Sequence, residues 1–190
     1  MSPDTPIYGW FGVNRAVFLW INGFHAPWWD TINAAITFMG SADRYPMWIA
    51  LALVVSWRFP RHLPLRNAVS FSLGFVATGF LVPWLKSAAA LPRPFVLLGQ
   101  QSVTVVGQMP HSWSFPSGHS TFAFLIAATL SSDLPRSARI VLWCFAGLVA
   151  LSRVVVGAHF PADVLGGAIV GVGVGWAVRK TIAFLRADSK

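Results

Sequence analysis

Long apolar runs broken by short basic stretches set the pattern of this chain. Asn67 to Leu85 holds 19 residues without a charge, bounded by Arg66 and Lys86. Ile140 to Ser152 is charge-free between Arg139 and Arg153, and Val164 to Val178 between Asp163 and Arg179. From Pro94 to Ser132 there is no Lys, Arg, Asp or Glu, and the second half of that stretch is strongly apolar. A helix crossing a bilayer needs about 20 mostly apolar residues, at the least about 17. The pattern predicts an all-α membrane protein, a bundle of about six transmembrane helices near 27–41, 45–60, 67–86, 117–133, 138–157 and 162–182. The first two are short. Residues 1–26 read as an amphipathic lead-in, and no removable signal peptide is expected. The whole chain is expected to be one integral-membrane domain with its core at 67–182.

Composition sharpens this. The 190 residues are 55% hydrophobic and 11% charged, against roughly a quarter charged in soluble domains. Yet the formal net charge is +8, from 14 Lys+Arg and six acids, all Asp. So apolar a chain is neither disordered nor a nucleic-acid binder with bases spread over a polar surface. Cys144 is the single cysteine, which excludes a disulfide scaffold. Alternating six spans puts ten bases on one side: Arg15, Arg58, Arg61, Arg66, Arg136, Arg139, Arg179, Lys180, Arg186 and Lys190. Bases accumulate on the cytoplasmic side, so both termini are expected there, with the loop 87–116 facing outward. Arg44, Lys86, Arg93 and Arg153 lie opposite.

Three of those four outward bases flank the most chemical residues in the chain. Lys86-Ser-Ala-Ala-Ala-Leu-Pro-Arg93-Pro94 ends the third span. Pro116-Ser117-Gly118-His119 opens the fourth. Ser152-Arg153 and His159, followed by Asp163, join the fifth and sixth. The alternation brings all three segments to one membrane face. Three cations suit a multiply charged anion, and Arg offers the bidentate fork that fits phosphate. Ser117 and Gly118 stand at a helix N-terminus, where orphan N–H groups bind anions. His119 and His159 are candidates to divide nucleophile or base work from acid work. Asp163, four residues beyond His159, is placed to orient its ring. Each residue alone has a plainer reading: interfacial anchor, ordinary helix start, or hydrogen-bonded histidine. Their coincidence outweighs those readings, because polar groups at membrane depth are costly.

These segments resemble the signature of the type 2 phosphatidic acid phosphatase superfamily, which also includes the vanadium haloperoxidases. Its pattern is K-x6-R-P, P-S-G-H, and S-R-x5-H-x3-D, and every fixed position is met in order. Twenty-one residues separate the first two segments and 32 the last two. The resemblance implies that His159 attacks phosphorus to give a phosphohistidine, that Asp163 orients it, and that His119 protonates the leaving oxygen. It implies that Lys86, Arg93 and Arg153, with the backbone at Ser117 and Gly118, hold the phosphate, without cofactor or metal. The expected partner is a lipid phosphate or diphosphate in the bilayer: undecaprenyl diphosphate, phosphatidylglycerophosphate, phosphatidic acid or a lipid A phosphate. No nucleic acid is expected. The alternatives are a lipid phosphotransferase using the same phosphohistidine and a non-catalytic lipid binder or transporter. His111 is a weak candidate, His25 and His62 read as structural or solvated, and Arg44 has no assignment. Gly167, Gly171 and Gly175 suit close helix packing, within the bundle or between copies.

Overall fold

A computed structural model describes residues 9–108 and 112–187, so His111 and Lys190 lie outside the described residues. Every regular element in it is helical. Helix α1 is Val13–Asn22, α2 Pro27–Met39, α3 Tyr45–Arg58, α4 Leu65–Ala89, and α5 the single turn Pro94–Leu98. After a long loop come α6 Gly118–Leu130, α7 Arg136–Val155 and α8 Pro161–Ala187. Short 3-10 turns at Trp10–Gly12 and Ala42–Arg44 precede α1 and α3.

Helix α6 is the centre of the bundle. Ten of its 13 residues are buried, and α4, α7 and α8 surround it. Its most extensive neighbour is α8, where Gly167, Gly171 and Gly175 all face it. A Cβ on Gly171 would lie 2.3 Å from the Thr121 carbonyl oxygen, so this glycine lets two backbones touch. The glycine stripe therefore packs inside the bundle. The outer faces are apolar instead: Phe80 of α4 is 79% exposed and Ile169 of α8 is 73% exposed. Such surfaces belong in hydrocarbon. By length and composition, three helical segments among the described residues qualify as membrane spans: Leu65–Leu98, Arg136–Val155 and Pro161–Ala187.

The first two expected spans behave differently from a hairpin. Thr37 of α2 bonds Ser152 of α7 at 2.8 Å, Gly40 packs on Val149, and the Trp48 ring of α3 packs, tilted, on Phe145. Further on, Ala52 shares a cluster with Ala68 near the start of α4. Contacts thus move steadily from the end of α7 towards its start as the chain passes from α2 into α3. The two helices run in the same direction, as halves of one broken helix. Their 13 and 14 residues give roughly 20 Å each at about 1.5 Å per residue, and neither alone matches a hydrocarbon core of about 30 Å.

Helix α1 lies across one end of the bundle. Asn14, Phe18 and Asn22, four residues apart, are all buried, whereas Trp20 is 81% exposed. Asn14 Oδ1 accepts from Ala162 N at 3.0 Å, capping the start of α8. Asn22 Nδ2 donates to Thr104 O and Val155 O, both at 2.9 Å, and Phe18 packs on the Phe160 ring at 5.0 Å. Arg15 therefore stands at the same end as Arg93 and Arg153, not with the bases at the other end as the alternation of six spans required. His25 Nδ1 meets Asp30 Oδ1 at 2.8 Å where α1 turns into α2.

Candidate active site

The three motif segments converge at this end. Lys86 comes from the last turn of α4, Arg93 from the cap of α5, and Ser117, Gly118 and His119 from the start of α6. Arg153 stands in the last turn of α7, His159 in the connection 156–160, and Asp163 in the first turn of α8. That connection turns at Gly157, whose φ of +75° and contact with Thr104 O leave no room for a side chain. The turn delivers His159 to the interior, where it is 2% exposed and Asp163 is 0% exposed.

Hydrogen bonds orient the histidine. Its Nδ1 lies 3.4 Å from Asp163 Oδ2 and 3.3 Å from Ser114 Oγ. Its Nε2 lies 3.3 Å from Arg93 Nη1. A guanidinium has donors only, so Nε2 accepts and the ring proton is assigned to Nδ1, facing the carboxylate. Burial lowers the basicity of His159 well below that of a free imidazole, and Asp163 offsets part of that effect. The ring is neutral at pH 7, with its Nε2 lone pair on the side of Arg93.

Asp163 itself is tightly held. Its Oδ2 accepts from Ser114 Oγ at 2.5 Å and from Phe160 N at 2.8 Å. The cations are held by carbonyls. Arg93 donates to Ala158 O at 2.8 Å and to Ser112 O at 2.7 Å, and Lys86 Nζ donates to Trp113 O and Ser114 O. Arg153 Nη1 donates to Thr37 Oγ1 at 3.3 Å, and its Nε is buried without a partner. Lys86, Arg93 and Arg153 against Asp163 leave two positive charges in excess, which an anion would neutralise.

At the start of α6 the Ser117 backbone and side chain already have partners within the chain. Ser117 N donates to Asp163 O at 3.0 Å, and Ser117 Oγ caps Ser120 N. The Ser117 amide is thus spent on joining α6 to α8, which leaves Gly118 and His119 at the open first turn. Among the described residues, no cluster of three or more His, Cys, Asp or Glu forms a metal-ligating group. His119 lines a cleft of about 710 Å³, together with Arg153, Thr37, Phe38 and Arg44.

Ser114, Thr37 and Asn22 were not singled out by the sequence. Ser114 sits between Trp113 and Phe115 in the loop before α6, and no motif position marks it. Thr37 touches Arg153 only because α2 crosses α7. Asn14 and Asn22 did carry a signal: they share the buried stripe of α1 with Phe18.

Residues 67–186 match the PAP2 superfamily. The chain belongs to that superfamily. PAP2 relatives include the lipid A 4'-phosphatase of Bacteroides thetaiotaomicron, 27% identical over 93% of this chain and 82% of that protein. The undecaprenyl-diphosphatase of Sulfolobus acidocaldarius is 30% identical over 74% of this chain and 66% of that protein. The crystal structure of the PAP2-like Aquifex aeolicus LpxE superposes with a TM-score of 0.76 at 28% identity, covering 88% of this chain and 95% of that one.

Proposed function

We propose that this PAP2 chain removes a phosphoryl group from a membrane lipid phosphate or diphosphate by way of a phosphohistidine. The observation that carries this reading is the His159 ring, with Nδ1 turned to Asp163 and Nε2 turned to the Arg93 guanidinium. A phosphate whose oxygens are held by Arg93, Lys86 and Arg153 lies against that lone pair. Nε2 attacks phosphorus while the bond to the leaving oxygen breaks, and His119 gives that oxygen its proton. Water then attacks the phosphohistidine, His119 takes the water's proton, and phosphate leaves. The cations stabilise the charge that builds on the equatorial oxygens, and the covalent step divides one difficult displacement in two.

The lipid reading is supported by the apolar flanks of the bundle, by the substrates in the names of both relatives, and by a site that opens between helices. For the membrane arrangement we favour five passes, with α2 and α3 forming one broken pass and α1 lying on the site face. Eight described bases, from Arg58 to Arg186, stand at the far end from the site. Bases mark the cytoplasmic side, so the site faces outward and the C-terminal helix ends inside.

The experiment is phosphate release by purified protein in detergent from a lipid phosphate and a lipid diphosphate. Turnover without an acceptor lipid is expected, and strict dependence on an acceptor would identify a phosphotransferase. His159→Ala should lose activity while still binding the lipid through the cations; full turnover in that variant would overturn the mechanism. Activity should persist in excess chelator.

A further inference from the structure

Of the two described bases at the site end that the motifs leave without a role, Arg15 and Arg44, Arg44 lines the cleft. It lies in the 3-10 turn that breaks the α2–α3 helix. The guanidinium stacks on the Phe38 ring, 3.8 Å from its centroid, and its Nε is buried without a hydrogen-bond partner. Stacking of this kind fixes the plane of the guanidinium and leaves its edge to bind an anion. Arg44, His119 and Arg153 line the same cleft. Asp43 lines it too, but Ser41 Oγ donates to its Oδ2 at 3.1 Å, and the two arginines outnumber it.

We propose that Arg44 binds the phosphate that stays behind when a lipid diphosphate is cleaved, and so selects diphosphates over monoesters. This rests on His119 being the acid that meets the leaving oxygen. The group beyond that oxygen then enters the cleft that His119 lines. When a monoester is cleaved, that group is a neutral alcohol and asks nothing of Arg44. When a diphosphate is cleaved, it is a lipid monophosphate, and its charge grows as the bridging bond breaks. A stacked guanidinium in that cleft stabilises this charge in the transition state. Arg93, Lys86 and Arg153 serve the transferred phosphoryl group in both reactions, so Arg44 acts on the difference between them.

The test compares kcat/KM for a polyprenyl diphosphate and the polyprenyl monophosphate of the same tail in wild type, Arg44→Ala, Arg44→Gln and Arg44→Lys. For Ala and Gln, diphosphate kcat/KM should fall by about tenfold to a hundredfold, as for loss of a charge-assisted hydrogen bond. Monophosphate kcat/KM should change by no more than about twofold, on the order of an exposed contact, which also certifies the fold of each variant. Arg44→Lys should restore part of the diphosphate rate. Equal losses on both substrates would make Arg44 a structural residue and overturn the proposal, as would no loss on either. Wild type that cleaves neither substrate would instead overturn the phosphatase reading.

Discussion

The His159–Asp163 pair depends on a third side chain. Ser114 Oγ is 2.5 Å from Asp163 Oδ2 and 3.3 Å from His159 Nδ1, and Ser114 is fully buried. A hydrogen bond to a buried carboxylate contributes about 1.5–3 kcal/mol. If that energy orients the ring, Ser114→Ala should lower kcat about tenfold to a hundredfold with KM nearly unchanged, and Ser114→Thr should restore much of it. A fall in expression or melting temperature with unchanged kcat would reduce Ser114 to a packing residue. The same pair has a pH signature. Burial disfavours the protonated His159, with Asp163 opposing, so the folded chain resists a proton that the unfolded chain takes up near pH 6.5. The unfolded state then binds more protons, and stability falls as pH drops below about 6.5 while remaining intact above it. In detergent, the melting temperature of wild type should decline more steeply between pH 7 and pH 5 than that of His159→Asn. Parallel curves would mean that His159 titrates alike in both states.

At the scale of elements, the contact of α6 with α8 decides whether the site exists, since Ser117 and Asp163 stand at its upper end. A Cβ added at Gly171 would meet backbone atoms at 2.3 and 3.0 Å, and backbone cannot rotate away as a side chain can. Gly171→Ala should therefore cost about 1–3 kcal/mol by overpacking, seen as a lower melting temperature and reduced turnover. Gly173→Ala, with nothing within 4 Å, is the matched control and should be neutral or slightly stabilising, since Ala favours helix over Gly. The glycine spacing was legible as a packing device, although its partner was not, because a small-residue stripe serves a neighbour in the same chain and one in another copy equally well. The long helices were legible because charges mark their ends. The break between α2 and α3 was not. Gly40-Ser-Ala-Asp-Arg44 reads the same whether the chain reverses or only kinks, and contacts with α7 and α4 decide between the two. Likewise the motif residues could be paired by chemistry alone, whereas Ser114 and Thr37 became visible, and the outward base Arg44 gained neighbours, only when distant segments met.

That kink bears on the side of the membrane that α1 occupies. With six passes, α1 and Arg15 belong on the cytoplasmic side. With α2 and α3 as one pass, α1 shares the site's face, in keeping with its bonds to Thr104, Val155 and Ala162. Charge alone does not separate these cases, because moving Arg15 leaves the far end richer in bases either way. Accessibility does. In a chain whose single cysteine, Cys144, is replaced by Ser, Phe11→Cys places a thiol at a residue that is 90% exposed. Gln101→Cys marks the exposed loop on the site face, and His62→Cys the exposed turn between α3 and α4 at the opposite end. A membrane-impermeant maleimide added to intact spheroplasts should label Phe11→Cys and Gln101→Cys together. His62→Cys should react only after the membrane is opened. Labelling of Phe11→Cys in step with His62→Cys would restore the sixth pass and separate α1 from the site. Labelling of His62→Cys alone before opening would turn the whole bundle over and place the phosphatase site in the cytoplasm.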